Sequence, residues 1–338
     1  MAVLGVDYLT LGDAKKFLEH GVADVAEVLR KAVPIVNDIP YVAMNKKVKH
    51  MVTMRSDLPS VFYRKANQAI PASKTTIEER EFVASHFESK SVMDQKVAEY
   101  GGKDRVAQNR LNQAEGHIQA CAHELADLIL YGSPEDDHRQ VPGIMHILST
   151  LNPAEPTSKQ IVDAGGVGSD NSSILFVSWG KGKVYGIFED GTQAGLKRTD
   201  RGLVQIPGTT EAGGTGWYWG YEEDFEVEHG LCVEDYRALA RVANIDVSDL
   251  KTPADAANLM KLMTRALYRI PPMLRQQKGK IYVNSTIMSF LDEQAQALVG
   301  AGGGLTYMNY QGEPVLMFRG WQIQEMDNLL TTEARVTT

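Results

Sequence analysis

DRVAQNRLNQAEGHIQACAHELADLILY, residues Asp104–Tyr131, decides how the rest of the chain is read. Val106, Leu111, Ala114, Ile118, Cys121, Leu125 and Leu128 recur at steps of mostly three and four, one apolar stripe on the 3.6-residue period of an α-helix. Arg105, Asn109, Asn112, Glu115, Gln119 and His123 fall largely off that stripe. No proline interrupts the run, and Gly116 weakens it by roughly 1 kcal/mol against Ala. Tyr131-Gly132-Ser133-Pro134 supplies the stop, with glycine just past the last turn and proline beyond. A helix of this length spans about 42 Å. It is a strut for a body, not the wall of an active site.

Upstream of the strut the chain is extended and basic. Val48, His50, Val52 and Met54 alternate with Lys47, Lys49, Met51 and Thr53, the period of a strand. Asp57-Leu58-Pro59-Ser60 is turn chemistry, Val61–Ala66 extends again, and Glu81–Ser89 is the expected return strand. An isolated two-stranded hairpin is marginal in water, so residues 46–90 need a partner surface. The preceding residues 1–45 carry two short helical patterns, one capped by Thr10 and one through Val22–Leu29, then extended backbone around Pro34 and Pro40.

Charge divides the chain. Lys46, Lys47, Lys49, Arg55, Arg64, Lys65 and Lys74 stand against the single acid Asp57 between residues 46 and 77, a local charge of +6. Residues 211–235 reverse this. Glu211, Glu222, Glu223, Asp224, Glu226, Glu228, Glu234 and Asp235 meet no Lys or Arg in that stretch, a local charge of −8. Two such patches either stay solvated or pair, within a subunit or between identical subunits. Head-to-tail pairing closes rings and shells.

The bulk numbers bound the class. With 338 residues and 43% hydrophobic content the chain builds one large body or two domains. Its apolar runs fall far short of the about 20 residues of a membrane span. Its start, with Asp7, Asp13 and Glu19, is not that of a signal peptide. Two cysteines, Cys121 and Cys232, make no disulfide framework and fit a reducing cytoplasm. A net charge of −8 argues against the whole chain gripping nucleic acid, though a surface that lies beside nucleic acid without trapping it is also acidic.

Downstream the reading is mixed α/β. A helix is expected over Val141–Leu151 and strands over Ile174–Trp179, Val184–Phe188, Phe225–Val233 and Ala238–Ala243. Residues 207–216, rich in Gly and Thr, read as mobile. Thr252-Pro253-Ala254-Asp255 opens a helix whose buried stripe is Leu259, Met260, Met263 and Leu267. A strand at Ile281–Val283, a helix from about Ser285 to Leu298, and strands at Val315–Phe318 and Trp321–Met326 close the chain.

Chemistry-bearing groups are sparse. Gly165-Gly166-Val167-Gly168 lacks the Gly-Lys-Ser/Thr ending of a phosphate loop and precedes a strand, so it reads as a turn. Asp163, Asp170 and Asn171 do not have the spacing of a calcium loop. His117 and Cys121 share a helix face without a third ligand. Trp217, Tyr218, Trp219 and Tyr221 either stack on a sugar or pack against protein, and packing is the commoner use. Catalytic, cofactor and metal residues are therefore expected to be none, and the chain is not expected to be an enzyme.

Several segments, in order, carry a resemblance. They include Met1-Ala2-Val3-Leu4, Asp7–Leu11, Leu58–Arg64, Asn67–Pro71, Asp163–Ser173, Val177–Gly180, Arg241–Leu250, Leu267–Pro271 and Leu329–Val336. Taken together, the chain resembles a tailed-phage major capsid protein of the Hong Kong 97-type fold, particularly those of short-tailed phages. The resemblance implies an α+β fold with an N-terminal arm (1–45), an extended loop lying over a neighbouring subunit (46–90), and a peripheral domain (91–150) around a spine helix at 104–131. It also implies an axial domain (151–220 and 251–324) and peripheral strands (221–250 and 325–338).

By the same resemblance, identical subunits form pentamers and hexamers of an icosahedral head around double-stranded DNA. Portal, scaffold and decoration proteins are the implied partners, and the virion, assembled in the host cytoplasm, is the implied location. The Lys–Asn crosslink of one branch finds no matching constellation. The chain begins near its arm, so any scaffold is expected to be a separate protein. The inter-subunit contact is expected between the basic loop (Lys46, Lys47, Lys49, Arg55, Arg64, Lys65, Lys74) and Glu222, Glu223, Asp224, Glu226 and Glu228 of a neighbour. An encapsulin-like compartment is the alternative within the fold. A soluble ligand-binding or enzymatic α/β protein is the alternative outside it.

Overall fold

The computed structural model describes residues 33–338 except 101, 192–193, 210–213, 252–256, 276–278, 298–304 and 311–312. The helices expected before residue 33, and Glu211, lie outside the described residues. In chain order, strands β1 (Tyr41–Ala43), β2 (His50–Asp57), β3 (Thr76–Phe82) and β4 (Ser85–Asp94) lead to helix α1 (Val106–Tyr131). Then come β5 (Ile161–Asp163), β6 (Asn171–Val177), β7 (Val184–Phe188), β8 (Gly195–Thr209), β9 (Thr215–Val233) and β10 (Leu239–Asp246). Helix α2 (Leu259–Arg269), β11 (Lys280–Val283), helix α3 (Ser285–Ala297), β12 (Leu305–Tyr310), β13 (Glu313–Phe318) and β14 (Trp321–Glu325) complete it.

Three sheets organise these elements. An elongated one runs β1-β7-β9-β4, with β8 also on β9. A seven-stranded one runs β12-β13-β14-β11-β6-β10-β5. The third is the isolated pair β2-β3. Every residue of β6 and β10 is buried, because the seven-stranded sheet is covered on both faces. Leu175 and Val177 point into a core shared with α1 and the elongated sheet. Ile174 and Phe176 point the other way, into a core under α2 and α3. Alternation on β6 thus joins two cores through one strand.

Helix α1 forms where its pattern predicts, but the stripe is only half covered. Cys121, Leu125, Leu128 and Ile129 are buried, while Leu111 and Ile118 keep 42% and 38% of their surface exposed. The elongated sheet packs instead on the polar-edged face, where His117 stacks on Phe225 at 5.4 Å and receives Ser89 Oγ at 2.7 Å from Nδ1. Gly132 ends the helix without a left-handed turn (φ −47°). It is glycine because a Cβ there would collide with the carbonyl oxygens of Val141 and Leu128.

Other expectations are corrected. The return strand of the loop is Thr76–Phe82, whereas 85–94 pairs with β9. β3 is exposed at six of its seven positions, so it lacks the buried face that writes a period of two into sequence. Between Val141 and Leu151 only the turn Ile144–Ile147 is helical, hemmed in by Pro142-Gly143 and Asn152-Pro153. Helix α2 is capped by Asn258, whose side chain accepts from Lys261 N at 2.9 Å, and the cap expected at Thr252 lies outside the described residues. β8 escaped the sequence reading altogether. Its Pro207–Thr209 end, expected to be mobile, pairs with Thr215–Trp217.

Candidate functional site

The acidic strand is β9, and its charges meet partners on the strands beside it. Antiparallel register sets Lys90 of β4 opposite Asp224 and Lys197 of β8 opposite Glu226. Lys90 Nζ lies 2.6 Å from Glu222 and 3.4 Å from Asp224, and Lys197 Nζ 2.7 Å from Glu226. Glu223 sits between Arg110 of α1 and Arg198 of β8, each donating through Nε at 2.8 Å. Arg201, at the bulge of β8, bonds Asp224. Burial works to raise the Asp224 carboxyl, but the Arg201 and Lys90 bonds outweigh it and hold the group below the usual carboxylate range. Glu222, Glu226 and Glu228 keep 18%, 26% and 24% side-chain exposure, whereas Glu223 and Asp224 keep 4% each.

Sequence reasoning missed this internal neutralisation because its donors lie on β4, β8 and α1, outside the acidic stretch. The signal was there: Lys197-Arg198 and Arg201 form a basic cluster after Gly195.

The basic loop behaves differently. Lys49 bridges Glu81 at 2.6 Å across the β2–β3 pair. Lys46, Lys47, Arg55, Arg64, Lys65 and Lys74 are exposed and form no ion pair among the described residues. Between β2 and β3 the apolar side chains are also uncovered, with Val61 at 93% and Tyr63 at 104% relative exposure. In the described chain the loop and the acidic strand therefore do not pair with each other. One is unpartnered and the other is largely partnered.

The loop is rooted by a buried network. His50, Cys232 and Glu234 bring ligand-type atoms within 4.8 Å of one another. The Tyr185 hydroxyl joins them, donating to Glu234 Oε1 at 2.6 Å and meeting His50 Nε2 at 2.9 Å. Asn45 N–H donates to His50 Nδ1 at 3.3 Å, which leaves the ring proton on Nε2. A metal on Nε2 would require Nδ1–H facing an acceptor, and it faces a donor. The cluster fits a hydrogen-bonded anchor, not a metal site.

Three of the segments that carried the resemblance, 163–173, 241–250 and 329–336, converge elsewhere, in a knot. Arg241 donates to Ser173 Oγ (3.0 Å), Leu148 O (2.8 Å) and Glu333 Oε2 (2.8 Å). Tyr131 OH donates to Glu333 Oε1 at 2.7 Å. Asn244, at a left-handed φ of 58°, clamps Val336 through both its N–H (2.8 Å) and its C=O (2.9 Å). The glycine loop closes the knot: Gly166 N donates to Asn244 O, and Gly168 N to Asp246 Oδ2. Cβ atoms at either glycine would strike these partners. Asp163 and Asp170 accept from the backbone N–H groups of Gly165 and Ser248. The loop is a turn, as its sequence context predicts. Trp217 and Trp219 stand exposed, at 70% and 50%, on the part of the β8–β9 hairpin that projects past the end of β4.

A long helix against an elongated sheet, a second layered sheet, and a loop that leaves the body unpartnered are the parts of a shell subunit. The chain belongs to the family of major capsid protein GP7, whose profile matches residues 19–337. Along the full length of both chains it is similar to a chain of bacteriophage Epsilon15, with a TM-score of 0.78 and 27% identity. Two looser likenesses carry no weight beside it. One is to the capsid of bacteriophage JBD30 (TM-score 0.42, 9% identity, 97% of each chain). The other is to the holo-SrpI encapsulin complex of Synechococcus elongatus PCC 7942 (TM-score 0.40, 11% identity, 70% of this chain and 99% of that). No curated protein matches the sequence.

The protein is a bacteriophage major capsid protein with the phage-capsid fold, and identical copies of it build the icosahedral shell of the virion. The family is structural, which makes the chain a building block and favours it over a cargo compartment.

Proposed function

We propose that the subunits form pentamers and hexamers of a head that encloses double-stranded DNA, and that the β2–β3 part of the 46–90 segment lies over the neighbouring subunit, residues 85–90 being part of strand β4 of the subunit's own sheet. The carrying observation is that the stretch between β2 and β3, basic and apolar at once, is exposed along residues 58–74, while the base of the loop is held by its own body at His50 and Phe82. Its cations dock on the parts of β9 that keep exposure, at Glu222, Glu226 and Glu228, while Glu223 and Asp224 stay committed to Arg110, Arg198, Arg201 and Lys90. In this reading the long helix and the elongated sheet form the peripheral domain, which moves β7 and β8 out of the expected axial span 151–220. The seven-stranded sheet with α2 and α3 forms the axial one, which moves β10 out of the expected peripheral span 221–250. Scaffold, decoration and portal proteins are the partners expected of such a head, and the host cytoplasm the place of assembly.

Reversal of Lys47 and Lys49 to Glu tests the contact. Shell yield, read by sedimentation and electron microscopy, falls in the double variant and recovers in part when Glu222 and Glu226 are reversed to Lys. Arg64→Glu with Lys65→Glu is the cleaner version, because Lys49 already holds Glu81. Normal shells from both loop variants would remove the electrostatic contact.

A further inference from the structure

Helix α2 turns Leu259, Met263, Ala266 and Leu267 into the core and leaves Lys261, Arg265, Tyr268 and Arg269 exposed on its other side. Steps of four and three place these on one stripe, with about 6 Å of rise between successive cations. The stripe continues past the helix end. The Arg275 guanidinium lies 4.4 Å from the centroid of the Tyr268 ring and that of Arg319 lies 5.7 Å from it. Arg319 Nη1 also donates to the Tyr268 hydroxyl at 3.3 Å. Tyr268 itself is 60% exposed.

Two features set this patch apart from the cations of the elongated sheet and the knot. Lys90, Arg110, Lys197, Arg201 and Arg241 each hold a carboxylate of their own chain. Lys261, Arg265, Arg269, Arg275 and Arg319 form no ion pair among the described residues. Helix α3, packed beside α2, carries Asp292 and Glu293. Gln294, which follows them, accepts from Leu259 N at 2.9 Å, so they accompany the start of α2 and leave its Arg-rich end. Arg319 is also held at φ 49° in the two-residue turn with Gly320 (φ 88°) between β13 and β14. Asn or Gly takes that left-handed conformation with less strain. A strained arginine in solvent, stacked by a tyrosine, contributes little to folding.

We infer that this patch is a phosphate-backbone contact for double-stranded DNA, blind to sequence. The inference rests on the proposed reading that the shell encloses such DNA. Four of the five cations are arginines, whose planar fork grips phosphate oxygens in pairs. Their linear spacing on a helix suits a ligand with one charge per about 1.7 Å of axis, and no base-reading group is needed. In a chain of net charge −8 the contact is local, so DNA is touched at one place and not held everywhere.

The test uses the full chain and a short mixed-sequence duplex, with binding followed by fluorescence anisotropy from 50 to 200 mM salt. Replacing Arg265, Arg269 and Arg319 by Gln removes up to three phosphate contacts. The log–log salt slope then falls by about 2.7, and the ratio of affinities at the two salt concentrations falls about 40-fold. Duplexes of different sequence behave alike. An unchanged slope in a variant with wild-type unfolding would overturn the inference. So would a variant that binds DNA normally but fails to assemble, since that assigns the patch to contact between copies. Equal salt-dependent capture of polyglutamate, lost in the same variant, would assign it to an acidic protein instead. Normal shells from a variant with a reduced slope support the inference. Failure of wild-type chain to form any shell strikes the proposed function and leaves this slope measurement standing.

Discussion

Arg241 and Arg64 carry the same guanidinium in opposite circumstances. Arg241 is 4% exposed, with Ser173, Leu148 and Glu333 around it, and it ties the end of the chain to the centre of the seven-stranded sheet. Arg64 stands in solvent on a segment that its own chain does not cover. The knot around Arg241 holds the subunit's own elements together, and the segment around Arg64 is exposed and adds little to them. The difference teaches that charged residues in this chain must be sorted by partner before they are sorted by sign. The acidic strand β9 belongs mostly with the knot: its acids hold strands β4 and β8 and helix α1 in register.

The largest effect should come from breaking the knot. Glu333→Ala leaves the buried Arg241 cation uncompensated and should lower the unfolding free energy by about 3–5 kcal/mol, read by urea titration of unassembled subunits. A loss below about 1 kcal/mol would mean that the C-terminal strap is not part of the folding unit. Next in size is Glu223→Ala, which strips the shared acceptor from Arg110 and Arg198. Both cations can turn partly to solvent, so the cost should be smaller, about 1.5–3 kcal/mol.

Much of this was legible in sequence, for a physical reason. Helix α1 announced itself because its C-terminal half is buried, and β6 and β7 because their faces are covered. The segments 163–173, 241–250 and 329–336, remote in sequence, carried the resemblance and meet in the knot. What stayed hidden lacks a buried face or has its partner elsewhere. β3 has no apolar alternation because both of its faces are wet. β8 reads as a charged stretch because its cations answer acids on β9. The count of −8 across 211–235 was correct as arithmetic and incomplete as physics, since the compensating cations approach from three other elements. Of the candidate contact residues, the seven cations of the loop were legible as a group, but Lys49 has a carboxylate within its own hairpin.

A smaller effect should follow acid. His229 is fully buried, with Nδ1 3.1 Å from the Tyr41 hydroxyl, and burial pushes its pKa down to about 3. The unfolded ring has an ordinary pKa near 6.5. Between these values the unfolded chain binds a proton that the folded chain refuses, so stability falls as pH drops below about 6.5 and levels off near the folded value. At pH 5 the loss from this one ring is about 2 kcal/mol. His229→Gln should flatten the stability–pH slope between pH 6.5 and 5 even if it costs stability at pH 7. An unchanged slope would place the acid sensitivity in another group.

The smallest effect on folding should come from the loop, and it sharpens the comparison most. Val61→Ser with Tyr63→Ser changes side chains that touch almost nothing in their own chain, so the unfolding free energy of the unassembled subunit should move by less than about 0.5 kcal/mol. Shell yield should nevertheless drop, because the apolar surface exposed in the monomer is what a neighbour would bury. Salt then separates the two halves of the contact. Loss of assembly in Arg64→Glu with Lys65→Glu should shift with ionic strength, since exposed charges are screened over about 10 Å at 0.1 M. Loss in the Val61 and Tyr63 variant should not, because apolar burial carries no charge to screen. If the serine variant instead destabilises the lone subunit by more than about 1 kcal/mol, the loop folds back on its own body. The contrast between Arg241 and Arg64 then fails at its root.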